Sequence, residues 1–374
     1  MSDMTPFATD QKIAILYQAL PPPTIGTLRK DAKPGGYSDS GADIGFCLRR
    51  LCRTVLTPKR DPDPAVALDW VFPDTAQGIE AALDTGASVL WANTVLFSGH
   101  PIERVMGSCW IIGQLPSAMH AADDKFATNA LLRAHGLPVA RSVLAGRDCR
   151  PGVHSIAALT VGALADLELR FPLIVKPVRG RGSQGVTLAE DHPAFVRAAQ
   201  ALIASGRFGD EIIVEQFLGG PELTITIMPG NPSSLRRDEP ASAPWALPPV
   251  CRFNHIDGVA PYNGVVAVTA NSRALLPEEA TDPAVGTMIA ACTAAAPLVR
   301  LRAPIRIDCR ADAEGVFHLF DLNMKPNMTG AGRPGHDDQD SLSAIAARAI
   351  GWSYGDLLLA MVAGAWRENP PGVR

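Results

Sequence analysis

The chain has 374 residues, of which 47% are hydrophobic and 19% charged, and its formal net charge is −4. This length and composition predict a globular protein of two or three domains, and the charge balance excludes the strongly basic surfaces of nucleic-acid and membrane-binding proteins. Seven irregularly spaced cysteines predict reduced thiols rather than a disulfide framework. No stretch has the pattern of a signal peptide or a bilayer-spanning helix. We therefore expect a cytoplasmic protein with no nucleic-acid or membrane partner.

The N-terminal part has the pattern of an α/β unit. KIAILY at 12–17 predicts a buried strand, and SVLWANTVLF at 88–97 predicts a second one. Between them, apolar residues from 44 to 55 recur at helical spacing, with Ser40 as the expected N-cap. Strand, helix and strand in this order indicate a domain that ends near residue 118.

After residue 118 the predicted secondary structure changes from a helix to short strands and then to helices again. A helical pattern with early acidic residues runs from 121 to 136, and short strands joined by glycine turns begin at 171. Two helices separated by Gly351–Tyr354 end the pattern. We expect three domains: an N-terminal α/β domain at 1–118, a central small lobe at 119–211 and a C-terminal lobe at 212–374. The predicted fold class is therefore α/β and α+β, multidomain.

A glycine-rich loop stands out in FPLIVKPVRGRGSQGV, residues 171–186. Gly180, Gly182 and Gly185 have the spacing of a dinucleotide-binding fingerprint, but that fingerprint requires a helix after the glycines. Here GVTLAED follows, which has a strand pattern, so we predict the tip of a β-hairpin. A hairpin rich in backbone N–H groups, with Ser183 at its tip, is suited to cover phosphates. A glycine hairpin without a ligand is the alternative.

Two acidic residues bracket an apolar bend in IIVEQFLGGPELTITIM, residues 212–228. Glu215 ends one predicted strand, and Glu222 begins the next. Carboxylates in these places can accept hydrogen bonds from an adenine amine and from ribose hydroxyls, while backbone groups of the bend read the edge of the base. Two solvated glutamates at strand ends are the alternative interpretation.

A second predicted hairpin, PIRIDCRADAEGVFHLFDLN at 304–323, carries polar groups on one face. Arg306 and Asp308 share one face of the first strand, and Asp321 and Asn323 share a face of the returning strand. A loop of even length would bring all four to the same side. Two carboxylates and an amide oxygen suit Mg²⁺, and an adjacent arginine can stabilise charge on a transferred phosphoryl group. An exposed polar face of an edge hairpin is the alternative.

These three stretches, in this order, resemble the ATP-grasp superfamily, and most closely its D-alanine–D-alanine ligase-like branch. The resemblance extends from about residue 108 to the C-terminus. It implies the ATP-grasp fold preceded by an N-terminal α/β (pre-ATP-grasp) domain. The implied chemistry is phosphorylation of a carboxylate by ATP, attack of an amine on the acyl phosphate, and release of ADP and phosphate.

The resemblance also implies roles for individual residues. The implied contacts to ATP phosphates are Lys125 and Lys176, with Gly182, Ser183 and Gly185 in the loop that closes over them. The implied contacts to adenine and ribose are Glu215, the backbone of Gln216, Phe217 and Leu218, and Glu222. The implied ligands for Mg²⁺, usually two ions with Mn²⁺ as a substitute, are Asp308, Asp321 and Asn323. The residues expected at the reacting centre are Arg306, Ser183 and Asn327.

Several positions depart from the D-alanine–D-alanine ligase pattern. The N-terminal glutamate loop is replaced by YQALPPPTIGTLRKDAKPGGYSDSGAD, and Asn327 stands where the family has the glycine of Pro-Gly-Met-Thr. The serine that follows in the family aligns near Gly332. No lysine occurs between Lys176 and Lys325, so the family's lysine–tyrosine lid pair is missing. The candidate replacements are Arg252, His255, Tyr262 and Arg273.

Two segments are candidates for holding substrate carboxylates. Arg333 in GAGRPGHDDQD (330–340) has the chemistry of a carboxylate clamp, with a solvated loop arginine as the alternative. SDSGAD at 38–43 enters a helix N-terminus, where an anion is favoured, but a plain N-cap explains it equally well.

The predicted function is an amide-forming ligase that acts on small carboxylate and amine substrates, amino-acid-like but other than two D-alanines. The alternatives are a true D-alanine–D-alanine ligase, an ATP-grasp ligase that uses another nucleophile or closes a ring, and a nucleotide-binding protein without turnover. Family members are often dimers through the N-terminal domain, so a homodimer is also an expectation, although no interface is identifiable in the sequence.

Overall fold

The computed structural model describes residues 11–230, 243–255, 258, 268–337 and 339–368. Three β-sheets with helices packed against them make up this part of the chain. Within these residues, none of the helices combines the length and the apolar character needed to cross a membrane.

The first sheet is parallel, in the order β2-β1-β4-β5, with β3 beside the end of β1. Its strands are β1 (Lys12–Tyr17), β2 (Thr54–Leu56), β3 (Phe72–Pro73), β4 (Val89–Asn93) and β5 (Trp110–Ile112). Its helices are α1 (Ser38–Arg50) and α2 (Ala76–Asp84). The α/β character predicted for the N-terminal part is confirmed, although the strand predicted at 88–97 ends at Asn93.

Helix α1 begins at Ser38, two residues before the predicted cap. Tyr37 occupies the N-cap position with a φ of 66°, a left-handed conformation that bulky residues rarely adopt. The Ser40 hydroxyl donates to the Tyr37 carbonyl (3.1 Å) and accepts from Asn93 Nδ2 (3.0 Å). The prediction of Ser40 as N-cap was therefore wrong, because the helix starts directly after a tight turn. In that turn a side chain at Gly36 would lie 1.9 Å from the Gln18 carbonyl oxygen.

The helix predicted at 121–136 is two helices, α3 (Pro116–Ala122) and α4 (Lys125–Ala134). The break occurs because Asp124 acts as an N-cap, accepting a hydrogen bond from the backbone of Ala127 (2.8 Å). Gly136, with a φ of 77°, follows the end of α4 as expected. The break leaves the Asp123 side chain free to face the cleft described below.

The second sheet, in the order β7-β6-β10-β8-β9, is antiparallel except for the β6–β7 pair. Its strands are β6 (Ser142–Gly146), β7 (Val153–Ser155), β8 (Leu173–Pro177), β9 (Thr187–Ala189) and β10 (Glu211–Gln216). Its helices are α5 (Val161–Asp166) and α6 (His192–Ala204). Because β8 and β9 pair directly, the glycine loop forms the tip of a hairpin, as predicted. The sheet also continues through Gln216, beyond the boundary predicted at 211.

The third sheet is antiparallel, in the order β14-β13-β11-β15-β16, with β12 beside β11. Its strands are β11 (Glu222–Met228), β12 (Trp245–Ala246), β13 (Val250–Arg252), β14 (Ser272–Ala274), β15 (Ile305–Ala311) and β16 (Phe317–Asn323). The helices that follow or cover it are α7 (Pro277–Ala280), α8 (Pro283–Leu298), α9 (Leu342–Arg348) and α10 (Tyr354–Ala363).

The apolar cores show how the three sheets are joined. Leu16 and Leu90 of the first sheet belong to the same buried cluster as Ile225 and Ile307 of the third. The second sheet has a separate core, built around residues such as Phe195. The first and third sheets therefore form one body, and the second sheet forms a lobe beside it.

Candidate active site

A cleft of about 1390 Å³, open to solvent, lies between the second and third sheets. Its walls come from β8, the glycine loop, β10, β15 and β16, and the N-terminal segment contributes Lys30 and Tyr37. Most residues predicted to bind nucleotide or metal line it: Lys125, Lys176, Gly182, Ser183, Glu215, Gln216, Phe217, Leu218, Glu222, Arg306, Asp308, Asp321 and Asn323. Gly185, Asn327 and Arg333 are not among the lining residues.

A buried ion pair lies where β8 and β10 meet. Lys176 Nζ donates to Glu215 Oε1 (2.5 Å) and to the carbonyl oxygen of Phe320 (3.2 Å). Burial raises the pKa of Glu215, although the nearby Lys176 acts in the opposite direction. The second carboxylate oxygen, Oε2, is buried without a hydrogen-bond partner among the described residues. An unpaired buried acceptor is costly, so this oxygen is suited to an exocyclic amine of a base.

The hinge that follows β10 brings its second glutamate to the same cleft. Glu222 is buried, and its Oε2 contacts His255 Nε2 (2.8 Å) and lies 4.0 Å from Arg310 Nη1. Arg310 also lies over the Phe217 ring, with its guanidinium carbon 5.2 Å from the ring centroid. The hinge therefore combines an apolar ring with a carboxylate, a pairing that suits the base and sugar of a nucleoside.

The glycine loop turns through Gly182 and Ser183, whose φ values are 56° and 55°. A positive φ at a serine is uncommon and indicates a locally constrained backbone. Gly185 instead packs toward the lobe core, where a side chain would meet Leu202 at 2.9 Å. Gly185 therefore allows the glycine loop to pack closely against the lobe of the second sheet. It does not line the cleft.

The register of the β15–β16 hairpin brings the four predicted polar side chains together. Arg306 pairs with Asn323, and Asp308 pairs with Asp321. All four line the cleft. The predicted convergence on one side is therefore observed, with a bulge in the ladder directly after Asp308.

Cationic side chains hold both hairpin carboxylates. Arg306 donates to both oxygens of Asp308 (3.1 and 3.0 Å), and Thr224 donates to Asp308 Oδ1 (2.7 Å). Lys125 pairs with Asp321. Burial raises the pKa of Asp321, but attraction and hydrogen bonding to Lys125, together with attraction to Lys176 and Arg306, outweigh burial, so the pKa is lowered overall and the group is ionised at neutral pH.

The donor set fits a hard cation whose remaining ligands come from elsewhere. Asp308 and Asp321 supply carboxylate oxygens, and the Asn323 amide oxygen accepts from the backbone of Lys325 (2.9 Å). Within the described ranges, no group of three or more His, Cys, Asp or Glu side chains could hold a metal ion. Protein ligands alone therefore do not complete a site, and phosphate oxygens and water would fill the other positions.

Two predicted site residues do not line the cleft: Asn327, expected at the reacting centre, and Arg333, expected to clamp a carboxylate. Asn327 donates from Nδ2 to Thr329 Oγ1 (2.7 Å), and its Oδ1 is buried without a partner among the described residues. Arg333 is 3% exposed, and it donates to Asp43 Oδ1 (2.6 Å) and to the Pro64 carbonyl (2.8 Å). The prediction of Arg333 as a substrate clamp is therefore corrected: its guanidinium joins helix α1 to the 330–340 segment.

The other candidate anion-binding residues are also engaged within the protein. Ser38 and Ser40 of the 38–43 segment are buried outside the cleft lining. Arg273 pairs with Glu279 (2.6 Å), His255 contacts Glu222, and Arg252 is buried beside Asn271. Tyr262 lies outside the described residues.

Sequence reasoning missed several side chains that line the cleft. Lys30 and Asp123 form an ion pair there, and Arg179 donates to the same carboxylate (2.8 Å). Tyr37 and Lys325 line the end of the cleft toward the first sheet. The double acid at 123–124 and the lysine that precedes Pro326 were visible in the sequence, but neither pattern identifies a partner.

The fold and the cleft together define a nucleotide-dependent enzyme of the ATP-grasp class. The chain belongs to the family described as "D-ala D-ala ligase C-terminus", whose model matches residues 131–363. The resemblance to the D-alanine–D-alanine ligase-like branch is therefore confirmed, and the chain is an ATP-grasp ligase that forms a carbon–nitrogen bond.

Individual relatives agree with this assignment. The D-alanine–D-alanine ligase of Stutzerimonas stutzeri is 29% identical over 258 residues, which is 67% of this chain and 67% of the relative. That of Verminephrobacter eiseniae is 29% identical over 267 residues, covering 70% and 68%.

Solved structures support the fold. The D-alanine–D-alanine ligase from Bacillus anthracis, complexed with ATP, superposes with a TM-score of 0.61 at 15% identity and covers 95% of this chain and 96% of its own. The enzyme from Coxiella burnetii gives a TM-score of 0.61 at 14% identity, covering 96% and 94%.

Proposed function

We propose that the protein joins the carboxylate of one small amino-acid-like substrate to the amine of another, with ATP as the energy source. The observation that carries this proposal is the β15–β16 register. It aligns Arg306, Asp308, Asp321 and Asn323 along one wall of a cleft whose opposite wall holds Lys176 and the glycine loop. A cleft with this order of groups suits phosphoryl transfer, in which positioning and charge neutralisation supply most of the catalysis.

ATP would occupy the cleft with its base at the hinge. Glu215 Oε2, buried and unpaired among the described residues, fits the adenine amine, and Glu222 fits the ribose hydroxyls. The backbone of Gln216, Phe217 and Leu218 would read the base edge. Lys125 and Lys176 would exchange their carboxylate partners for phosphate oxygens. Gly182 and Ser183 would cover the phosphates, and Gly185 would set the position of their loop.

A divalent cation, Mg²⁺ or in its place Mn²⁺, would be held by Asp308, Asp321 and Asn323, and we propose two such ions. When bound, the ions supply positive charge that neutralises the triphosphate. The residues present fit this role, because the two carboxylates face each other in register and the pKa of Asp321 is lowered.

The proposed reaction has two steps. A carboxylate oxygen of the first substrate attacks the γ-phosphorus of ATP, and the bond from that phosphorus to the β–γ bridging oxygen breaks, so ADP leaves. The amine of the second substrate then attacks the acyl carbon, the carbon–oxygen bond to phosphate breaks, and the amine proton passes to the departing phosphate. Arg306 would stabilise the transferred phosphoryl group, and Ser183 would donate to it; both residues line the cleft. Asn327 would position the reacting carbonyl from behind the cleft wall.

We further propose that the substrates are not two D-alanines. The N-terminal segment at 18–37 differs from the family pattern and supplies Lys30 and Tyr37 to the cleft, and Asn327 replaces a glycine. A D-alanine–D-alanine ligase is the second candidate, favoured by the names of the relatives reported above.

A screen of substrate pools tests both candidates. We expect Mg²⁺-dependent ADP release only when two different pools are combined, one supplying the carboxylate and the other the amine, with a product lighter by one water than the sum of its parts. Release with D-alanine alone, together with its dipeptide, would establish the second candidate. ATP turnover without a condensed product would contradict an amide-forming ligase.

The remaining proposals concern the setting of the reaction. All seven cysteines are free thiols, which agrees with a reducing cytoplasm. We also propose three domains, with the second ending at Gln216, and a homodimer as the assembly. Sedimentation equilibrium tests the dimer, and a mass equal to one chain would contradict it.

A further inference from the structure

Tyr37 lies between two lysines at the end of the cleft nearest the first sheet. Lys33 Nζ is 3.9 Å from the centroid of the Tyr37 ring, and Lys325 Nζ is 4.1 Å from it. Arg181 of the glycine loop is close enough to Lys33 for their repulsion to lower the pKa of Lys33, and it lines the cleft together with Tyr37 and Lys325. Two lysines therefore contact one aromatic ring, and a third cation from the glycine loop lies near them.

Arg181 and Lys325 line the cleft, Lys33 lies against the Tyr37 ring beside it, and all three differ from the other cations there. Lys30, Lys125, Lys176 and Arg306 each pair with a carboxylate. Across the described ranges, Lys33, Arg181 and Lys325 have no salt-bridge partner within 4.0 Å, and Lys325 Nζ contacts only the Pro326 carbonyl and the Tyr37 ring.

The guanidinium of Arg181 shows the same lack of a counter-charge, because its Nη2 donates to the Asp31 carbonyl oxygen and not to a carboxylate. Arg181 Nη1 is buried without a hydrogen-bond partner among the described residues. Several uncompensated cations held together are unfavourable, so the cluster is complete only with an anion.

The backbone of Tyr37 supports a functional role for the cluster. Tyr37 is held in the left-handed region, with a φ of 66°, at the start of helix α1. Such a conformation is strained and persists where the surroundings impose it, often at ligand sites. Here it keeps the ring between the two lysines.

The cluster lies beyond the proposed metal ligands, on the side of the first sheet. Lys325 follows Asn323 by two residues, and it also lines a small apolar pocket together with Trp91 and Asn93 of strand β4. Lys33 and Tyr37 precede helix α1 of the first sheet. An anion held here would therefore sit at the opposite end of the cleft from the adenine hinge.

Resting on the proposed function, we propose that Lys33, Arg181 and Lys325 bind a carboxylate that the substrate keeps unreacted. At least one substrate is then an amino acid with a free carboxylate. The cluster takes the place of the missing lid lysine, since Arg252, His255 and Arg273 are engaged elsewhere. The Tyr37 ring spaces the two ammonium groups, and Arg181 links the bound substrate to the glycine loop.

Ligand-observed NMR on the full chain tests this assignment without turnover. The probes are a mixture of L- and D-amino acids and a matched mixture of their α-carboxamides, each with Mg²⁺ and a non-hydrolysable ATP analogue. We expect wild-type protein to bind acids in preference to amides. Lys325→Met should weaken acid binding by about ten-fold or more, because a charge-assisted hydrogen bond is lost. Lys325→Arg should restore part of it.

The matched control is Lys59→Met, since Lys59 is exposed and does not line the cleft. Equal binding of acids and amides by wild-type protein would overturn the proposal. So would a Lys325→Met variant that keeps its preference for acids, or one that loses affinity for the ATP analogue alone, which would indicate a phosphate site. Acid-selective binding without ADP release from any pool would contradict the proposed function and leave the carboxylate site standing.

Discussion

At the scale of single residues, the cleft contains ion pairs whose members are also the proposed ligands of ATP and Mg²⁺. Lys125 pairs with Asp321, and Arg306 pairs with Asp308. Paired charges keep the side chains ordered, so binding of nucleotide and metal replaces existing contacts and requires little new ordering. Asp321 is ionised at neutral pH because its pKa is lowered, and it lies in register with Asp308.

Replacement of Asp308 by asparagine tests the metal site. The amide keeps the shape of the side chain, and Thr224 can still donate to its oxygen. We expect ADP release to fall by about 100-fold or more, with the remaining activity requiring higher Mg²⁺, because one charged ligand is lost. The control is Asp84→Asn at the exposed end of α2. Unchanged turnover and Mg²⁺ dependence would remove Asp308 from the metal site.

Replacement of Arg333 by methionine separates structural from substrate roles. The buried guanidinium holds Asp43, so its loss removes the arginine charge from a buried carboxylate and leaves His336 (3.1 Å) as the remaining partner. We expect the free energy of unfolding to fall by about 3–5 kcal/mol in denaturant titrations, with KM values little changed. Arg141→Met, at an exposed pair with Glu168, should cost about 0–1 kcal/mol. Unchanged stability with a raised KM would restore the clamp.

The ionisation of Lys33 gives the carboxylate site a pH dependence. Burial, then repulsion from Arg181, lowers the pKa of Lys33 from 10.5 to about 8, while Asp39 opposes the shift. Tyr37 and Lys325 complete its surroundings. Amino-acid affinity should therefore fall as pH rises through about 8. Folding stability changes with pH in the opposite direction. The buried charge of Lys33 destabilises the folded state, and this destabilisation is lost as pH rises from about 8 to 10.5.

Calorimetric titration of the amino acid at several pH values measures this effect, with Lys33→Met as the comparison. The variant should bind more weakly at neutral pH and show a flatter profile across the same interval. A wild-type affinity that is constant through pH 8 would mean that Lys33 does not contact the anion.

Individual site residues could be predicted where side chains alternate regularly along a strand. Asp308 and Asp321 were found because alternation along two strands fixes which side chains share a face. Arg333 was assigned the wrong role, because its partner Asp43 is 290 residues away and no local pattern reveals it. Tyr37 and Lys325 were missed as partners for the same reason.

At the scale of elements, the 18–37 segment connects the first sheet to the glycine-loop lobe. Asp74 anchors its start by accepting from the backbone of Ala19 and Leu20 (2.8 Å each). Arg179 donates to the carbonyls of Pro23 (2.7 Å) and Leu28 (3.2 Å). The segment is therefore held from both sides, and it contributes Lys30 and Tyr37 to the cleft.

Replacement of Arg179 by methionine should release this segment. Arg179 is 1% exposed and also donates to Asp123, so its loss breaks contacts with both the segment and α3–α4. We expect faster limited proteolysis within 18–37 and weaker binding of the ATP analogue. Arg197→Met, on the exposed face of α6 in the same lobe, is the control. Proteolysis at the wild-type rate would show that the segment is held by other contacts.

Strands were easier to predict than helix boundaries and loops. The alternation in FHLFDLN and the apolar runs of the other strands identified the sheets correctly. The break between α3 and α4 was missed because adjacent acids suit either a first helical turn or an N-cap. The packing of 18–37 was not predictable, since loop contacts follow from the assembled fold rather than from local pattern.

At the scale of the whole molecule, the first and third sheets form one body, and the second sheet forms a lobe beside it. Two contacts join the first and third sheets: Gln114 donates to the Ala303 carbonyl (2.7 Å), and the backbones of Ile111 and Trp366 exchange hydrogen bonds. The fold and the nucleotide end were predictable because three motifs occur in order. Substrate identity was not, because it depends on side chains brought together from distant segments.

The most direct test of the central claim follows oxygen from the carboxylate. The wild-type enzyme is given ATP, Mg²⁺ and an active substrate pool in which the carboxylates carry ¹⁸O, and the released phosphate is weighed by mass spectrometry. Phosphorylation of the carboxylate predicts that each phosphate carries one ¹⁸O atom, because the carbon–oxygen bond breaks in the second step. If amide product formed while the released phosphate carried no ¹⁸O, the acyl-phosphate mechanism would be contradicted.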